Sequence, residues 1–389
     1  MNIAFIYDTV INPLKGGVER VTSVLAKEFI KQGHKVYYLI FIKPESPDNI
    51  PEMTFFFPTR KSDTEANALF LTDFIEENRI DFVLFQNTSF YEGKFPFNLW
   101  PLKNCRLINV IHNDPARGLE FYWHLRHHRQ MDFVKYIIRY VPYMSLGLFR
   151  YQSLKKKAIN QFRYTLSHSD RTIILSDKFF NNIHKYLRIN STDKILTINN
   201  PLTYEIRNQP TEKKNILLFV GRLTGNKQCD YVIRAWNLIS NLYPTWKLVI
   251  AGEGPMRKYY ESLPKFKGRT EFSGHCNPEK LYRESKIFCM ASSFEGWPMV
   301  LMEAMSNGAV PVAFKTFPSI VDIIDNGENG ILVSPYKVRE YALAISKLIQ
   351  NESMRAQMAR NALIKAAHFT PDKIADKWLD LFASLKTRE

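Results

Sequence analysis

Glu295 and Glu303 stand on either side of a Gly/Pro-containing turn and the helix start that follows it, in the run Glu295-Gly-Trp-Pro-Met-Val-Leu-Met-Glu303. An ionised carboxylate only accepts hydrogen bonds, so acids placed here suit ligand hydroxyls. Upstream, Arg222 and Lys227 flank a turn within Gly221-Arg-Leu-Thr-Gly-Asn-Lys227. A guanidinium grips phosphate oxygens as a fork, and an ammonium acts as a compact point charge. The free amides of Met299, Val300 and Leu301, at a helix start, form an anion site of their own. Together these groups would neutralise a diphosphate, including the charge that grows on it as it leaves. Taken singly, each glutamate reads first as a solvated acid and each cation first as an ordinary loop charge. Their agreement carries the functional reading.

The elements that must hold these groups are short and alternate between strand and helix. Ile287 to Ala291 is apolar throughout, as in a strand covered on both faces. Ser292 to Pro298 forms a loop containing Gly296, and Pro298 opens a helix over Met299 to Ser306. Asn307-Gly308 caps that helix, and Val310 to Phe314 is the next strand. Before this unit, Ile216 to Val220 leads into Gly221-Arg222, Lys247 to Ala251 into Gly252-Glu-Gly254-Pro, and Thr270 to Ser273 into Gly274-His275-Cys276. Three successive strands thus empty into glycine-containing loops on one edge, where ligands of open α/β sheets bind.

The N-terminal half repeats the alternation. Strands are expected at Asn2 to Tyr7, Lys35 to Ile42, Phe82 to Gln86 and Arg106 to Ile111. Gly16-Gly17 precedes a helix over Val18 to Gln32, where a phosphate or sugar can approach the backbone closely, although the pair also suits an ordinary turn. His112 follows the Arg106 to Ile111 strand and lies on its ligand side, or is a loop histidine bonded to local backbone. Residues 115–165 break the pattern with basic residues interleaved among aromatic and aliphatic ones. Such a surface suits anionic lipid headgroups, or is a solvent-facing basic insert. His124, His127 and His128 lie among arginines that oppose a cation, so no metal is expected there.

Composition narrows the class. A chain of 389 residues, 45% hydrophobic and 14% aromatic, is globular and long enough for two domains. The start Met1-Asn-Ile-Ala-Phe-Ile-Tyr reads as a strand with no signal peptide, and no apolar run reaches membrane-spanning length. Cys105, Cys229, Cys276 and Cys289 lack zinc-like spacing and fit a reduced, cytoplasmic protein. The net charge is +15. Residues 115–190 hold fourteen Lys/Arg against four Asp/Glu, which concentrates the charge in one segment and invites an anionic partner. No nucleic-acid-binding module accompanies it.

Gly221-Arg-Leu-x-x-x-Lys227, Gly252-Glu-Gly-Pro255 and above all Glu295-x7-Glu303 resemble the family 4 retaining glycosyltransferases. The resemblance is densest over residues 216–340 and extends more loosely to Gly16-Gly17 and the His112 strand end. It implies an α/β fold of the GT-B architecture, two Rossmann-like doubly wound parallel-sheet domains facing across a cleft. The expected division is an acceptor-side domain over 1–202, a donor domain over 203–368, and a C-terminal segment 369–389 whose helix crosses back to the first domain.

The resemblance assigns Arg222 and Lys227 to the donor diphosphate, helped by backbone at Gly17 and at Val300-Leu301. It assigns Glu303 to the ribose, Glu295 to the donor sugar, the Gly274-His275-Cys276 loop to the base, and His112 to the transferred sugar. It implies retaining transfer of a hexose or N-acetylhexosamine from a UDP-sugar to a glycan or lipid-linked acceptor in cell-surface polysaccharide or lipopolysaccharide biosynthesis. No metal or cofactor is expected, because Arg, Lys and a helix dipole take that part. The expected location is cytoplasmic, peripheral on an anionic membrane through residues 115–165. A nucleotide-sugar epimerase on the same fold and a non-catalytic nucleotide-sugar-binding subunit are the rival readings. Two departures stand out: Gln228 follows Lys227 where the family often has Gly, and Trp297 replaces its usual Phe.

Overall fold

The computed structural model describes residues 1–13, 16–44, 50–62, 64–87, 105–117, 119, 133–206, 212–265 and 267–386, with the backbone alone at 87, 133–150 and 267. The chain forms two compact units, Met1–Asn199 with Ala375–Glu389, and Asn200–Ile374.

The first unit is built on a seven-stranded sheet whose strands all pair in parallel. In chain order these are β1 (Asn2–Thr9), β2 (Lys35–Ile42), β3 (Thr54–Phe56), β4 (Phe82–Asn87), β5 (Arg106–Ile111), β6 (Arg171–Ile174) and β7 (Ile195–Thr197), arranged β3-β2-β1-β4-β5-β6-β7. The direction of winding reverses between β1 and β4, the switch point where such sheets open a ligand crevice. Ile3, Ala4, Phe5 and Ile6 are fully buried, as a strand covered on both faces requires. Within this unit, Phe382 of the helix Pro371–Lys386 stacks on Phe82 at 4.3 Å between ring centroids, and Lys386 pairs with Asp81 at 2.6 Å.

One element differs from its sequence reading. A continuous helix runs over Phe133–His168, through Pro142 and Gly147, where the sequence bounds a helix only over Leu154 to Ser167, after the basic insert. Pro and Gly are the strongest breakers of helical pattern, which obscures the helix in sequence. In its described side chains, Ala158, Phe162 and Thr165 are buried at helical spacing, while Lys156, Lys157 and Arg163 are exposed. His124, His127 and His128 lie outside the described residues. Among the described residues, no helix is long and apolar enough to cross a membrane.

The second unit carries a six-stranded parallel sheet of β8 (Lys214–Val220), β9 (Lys247–Ala251), β10 (Thr270–Gly274), β11 (Ser285–Met290), β12 (Val310–Phe314) and β13 (Ile331–Val333). Their order, β10-β9-β8-β11-β12-β13, reverses between β8 and β11. Helices Cys229–Ile239 and Val338–Gln350 bury Trp236, Tyr341 and Ile345 against it. Nearby, Asn351 caps the helix Glu352–Ala366 by accepting from the Met354 amide at 2.9 Å.

Candidate functional site

The loops that leave β8, β9, β10 and β11 are stitched to one another by backbone. Gly221 donates to Ala251 O at 3.0 Å and Leu223 to Glu253 O at 2.8 Å. Met256 donates back to Leu223 O at 3.0 Å, and Gly252 to Gly274 O at 2.8 Å. Across the switch point, the Ser293 amide and hydroxyl both donate to Asn226 O, at 2.8 and 3.2 Å. The sequence assigns Gly252 and Gly254 to a ligand, but their missing side chains serve the neighbouring loop. A Cβ on Gly252 would collide with Gly221 O, and one on Gly254 with Leu223 O. Gly252 also holds φ +145°, a conformation that L side chains rarely adopt.

On this frame the two predicted cations behave differently. Arg222 is exposed, and its guanidinium has no ion-pair partner among the described residues. Lys227 donates to Glu295 Oε1 at 2.5 Å, in a half-enclosed ion pair. The structure thus joins the residue predicted for phosphate to the one predicted for sugar. Gln228, which follows, lies in the left-handed region at φ 49° and ψ 41°, where a glycine would rest without strain. Its Oε1 is buried without a hydrogen-bond partner among the described residues.

The loop Ser292 to Pro298 ends on the helix Met299–Ser306, which has no side-chain N-cap. Three free amides are expected here from the sequence, but Leu301 donates to Pro298 O at 3.0 Å. A tight first turn closes that group, leaving Met299 and Val300 without backbone acceptors among the described residues. At the other end, the Lys213 ammonium donates to Asn307 O at 2.6 Å, Ser285 O at 3.0 Å and Tyr282 O at 3.3 Å. One half-buried cation thus holds the C-terminal carbonyls of two helices, its pKa pushed down to about 8 by desolvation. Nothing in the local sequence marks Lys213 for this.

Glu303 has no accessible surface. Thr203 Oγ1 donates to its Oε1 at 2.6 Å and the Tyr282 hydroxyl to its Oε2 at 2.9 Å. Protein hydroxyls thus hold both oxygens of the carboxylate that the sequence gives to a ribose. Gly296 and Trp297 are buried beside it in sequence; Trp297 meets Phe369 edge-on at 5.3 Å, and its indole N–H has no partner among the described residues. His275 and Cys276 are exposed on the loop after β10, and Gly274 turns that loop with φ +70°.

In the first unit, His112 is buried just beyond β5, its Nε2 at 2.5 Å from Gln86 Oε1 and its Nδ1 without a partner among the described residues. Burial pushes its pKa down to about 4, so the ring is neutral near pH 7. Gly16 is the N-cap of the helix Gly17–Lys31 and offers no side-chain bond. The Glu19 carboxylate lies against Gly16 and reaches the Tyr7 hydroxyl, whose pKa rises through burial and this acid. The Glu19 carboxylate thus stands beside Gly16, in the turn whose backbone the sequence gives to a phosphate.

The family model for Glycosyltransferase Family 4 matches residues 15–205, and that for Glycosyl transferases group 1 matches residues 203–365. An uncharacterized glycosyltransferase of Haemophilus influenzae is 30% identical over 192 residues, 48% of this chain and 54% of its own. The Campylobacter jejuni GalNAc-alpha-(1->4)-GalNAc-alpha-(1->3)-diNAcBac-PP-undecaprenol alpha-1,4-N-acetyl-D-galactosaminyltransferase is 31% identical over 178 residues, 45% of this chain and 50% of its own. The chain spans about half the length of these curated relatives. Among solved structures, Anabaena HepE in complex with UDP superposes with a TM-score of 0.72 over 99% of this chain and 100% of that one, at 16% identity. S. aureus TarM, solved with UDP, gives 0.69 over 98% and 99%, also at 16% identity. At such identity the likeness shows the fold alone, which is GT-B, as the sequence motifs imply.

Proposed function

We propose that this chain, which belongs to the family 4 glycosyltransferases, transfers a hexose or N-acetylhexosamine from a UDP-sugar to a glycan or lipid-linked acceptor with retention of configuration. The observation that carries the reading is the joining of the Arg222–Lys227 loop to the Glu295 loop at the switch point of the second sheet. An exposed guanidinium, an ammonium held by a carboxylate and two amides at a helix start form a set matched to a diphosphate carrying a sugar. The UDP in the HepE and TarM structures supports the choice of nucleotide, and the named activity of the Campylobacter relative supports the class of acceptor.

In this mechanism the incoming diphosphate competes with Glu295 for Lys227, and the released carboxylate accepts a sugar hydroxyl. The acceptor hydroxyl attacks the anomeric carbon on the face from which the diphosphate departs. Its proton passes to a phosphate oxygen of the leaving group, whose charge Arg222, Lys227 and the Met299–Val300 amides stabilise. Glu303 serves the ribose by exchanging Thr203 or Tyr282 for a ribose hydroxyl. A thermal-shift panel of UDP-, GDP- and ADP-sugars tests the donor, because a bound ligand raises stability by mass action. The UDP-sugars should stabilise, and transfer should need an acceptor. Turnover without acceptor identifies an epimerase, binding without turnover a non-catalytic subunit, and a covalent sugar on Glu295 overturns the single-face mechanism.

The exposed Lys156, Lys157 and Arg163 on the long basic helix support docking on an anionic membrane at the cytoplasmic face, where a lipid-linked acceptor lies. Binding to anionic liposomes that weakens with salt is the expected result. Equal binding to neutral liposomes removes the docking.

A further inference from the structure

Gln86 has no place in the sequence reading, yet it governs the one histidine that reading singles out. It ends the apolar part of β4, and the register sets it opposite Val110 of β5. His112 follows Val110 by two residues, so the alternation of side chains puts it on the face that Gln86 shares. Both are almost completely enclosed, at 4% and 6% exposure. Asp114, the nearest acid in sequence, accepts from the Ala116 amide and the Asn182 amide group.

We propose that Gln86 is a positioning residue, holding His112 as its Nε2–H tautomer so that Nδ1 presents a lone pair to an O–H or N–H of a sugar bound at the end of β5. A neutral imidazole carries one proton. With Gln86 Oε1 accepting at 2.5 Å, that proton is on Nε2, and Nδ1 can only accept. Nδ1 is buried and unpartnered among the described residues, an arrangement that a ligand donor would relieve and a carbonyl or ether oxygen would not. Desolvation keeps the ring neutral, so it does not switch to donating at both nitrogens. A partner that fixes the tautomer of a working histidine from behind is a recurring device. The ligand half of this inference rests on the sugar-transfer reading, and the tautomer half stands without it.

The test is nitrogen NMR of the uniformly labelled full chain without nucleotide or sugar. His112→Gln identifies the His112 signals among nine histidines by their loss. A single N–H on Nε2 is expected; a proton on Nδ1, or an even mixture of tautomers, overturns the inference. Gln86→Leu, which keeps the bulk and removes the acceptor, should mix the tautomers and lower kcat/KM for the UDP-sugar about tenfold, the scale of one net hydrogen bond. An unchanged tautomer in that variant also overturns it, and Gln86→Met answers the same question if the leucine variant does not fold. Because the tautomer is read with no substrate present, a wrong tautomer leaves sugar transfer untouched, and an absence of transfer leaves the tautomer result standing.

Discussion

Lys227 and Glu295 form an ion pair at 2.5 Å, across the two loops that leave β8 and β11. On the proposed reading, a diphosphate that took the ammonium would also release a carboxylate for hydroxyls. Arg222, exposed and without an ion-pair partner among the described residues, is the cation available to an approaching anion from the outset.

That difference separates two variants. Arg222→Ala and Lys227→Ala should each lower kcat/KM about thirtyfold, from roughly 2 kcal/mol of lost electrostatic stabilisation. Only Lys227→Ala should also destabilise the fold, by about 1 kcal/mol, since it strands a half-enclosed carboxylate. Steady-state kinetics with urea unfolding distinguishes them; unchanged turnover in both would sink the site.

Cys276 is the one exposed thiol, while Cys105, Cys229 and Cys289 are buried. Native protein should take up about one equivalent of an alkylating reagent, as burial raises the pKa of the other thiols. If the loop after β10 contacts the base, saturating UDP should slow that reaction severalfold. Mass spectrometry of the alkylated peptide reads the rate, and no protection would remove Cys276 from the base site.

His112 gives the fold an acid limb. Its pKa falls from 6.5 free to about 4 when folded, so the unfolded chain binds more protons between these values. The stability contributed is complete above about pH 6.5 and is lost as pH falls toward 4, on the order of 3 kcal/mol in total. His112→Gln should flatten this part of the stability profile, measured as urea midpoints at stepped pH.

Gln228→Gly should stabilise the protein by up to about 1 kcal/mol, because it relieves a left-handed backbone at a residue with a buried, unpartnered Oε1. The corresponding rise in melting temperature is about 2–4 °C for a unit of this size. A fall would mean that Gln228 makes a contact worth more than the strain.

Tyr282→Phe removes one of the two hydroxyl donors on a carboxylate with no accessible surface. A loss of about 1–3 kcal/mol is expected from calorimetry, the scale of a hydrogen bond to a buried charged group.

Strand and helix positions were legible wherever local pattern decides them. Lys35–Ile42, Arg106–Ile111 and Met299–Ser306 occur where the apolar runs and their caps place them. The helix Phe133–His168 was not, since Pro142 and Gly147 interrupt its pattern. At the site, residue type and spacing bring Arg222, Lys227, Glu295 and Glu303 forward as candidates for phosphate and hydroxyl contacts. Their protein partners were not legible in this way. Thr203 reaches Glu303 across a hundred positions, and Gln86 reaches His112 across a strand register, and neither contact leaves a local trace in sequence. The left-handed turn at Gln228 was equally hidden, because a glutamine gives no sign of it.

The glycine contacts between the β8 and β9 loops divide the second unit into what can be varied and what cannot. Gly252 and Gly254 press backbone against backbone at Gly221 and Leu223, so a library randomised there would consist mostly of unfolded chains. Gln228, His275, Cys276 and Trp297 lie on the loops after β8, β10 and β11 without such a backbone clash, and they are the positions at which a library should begin.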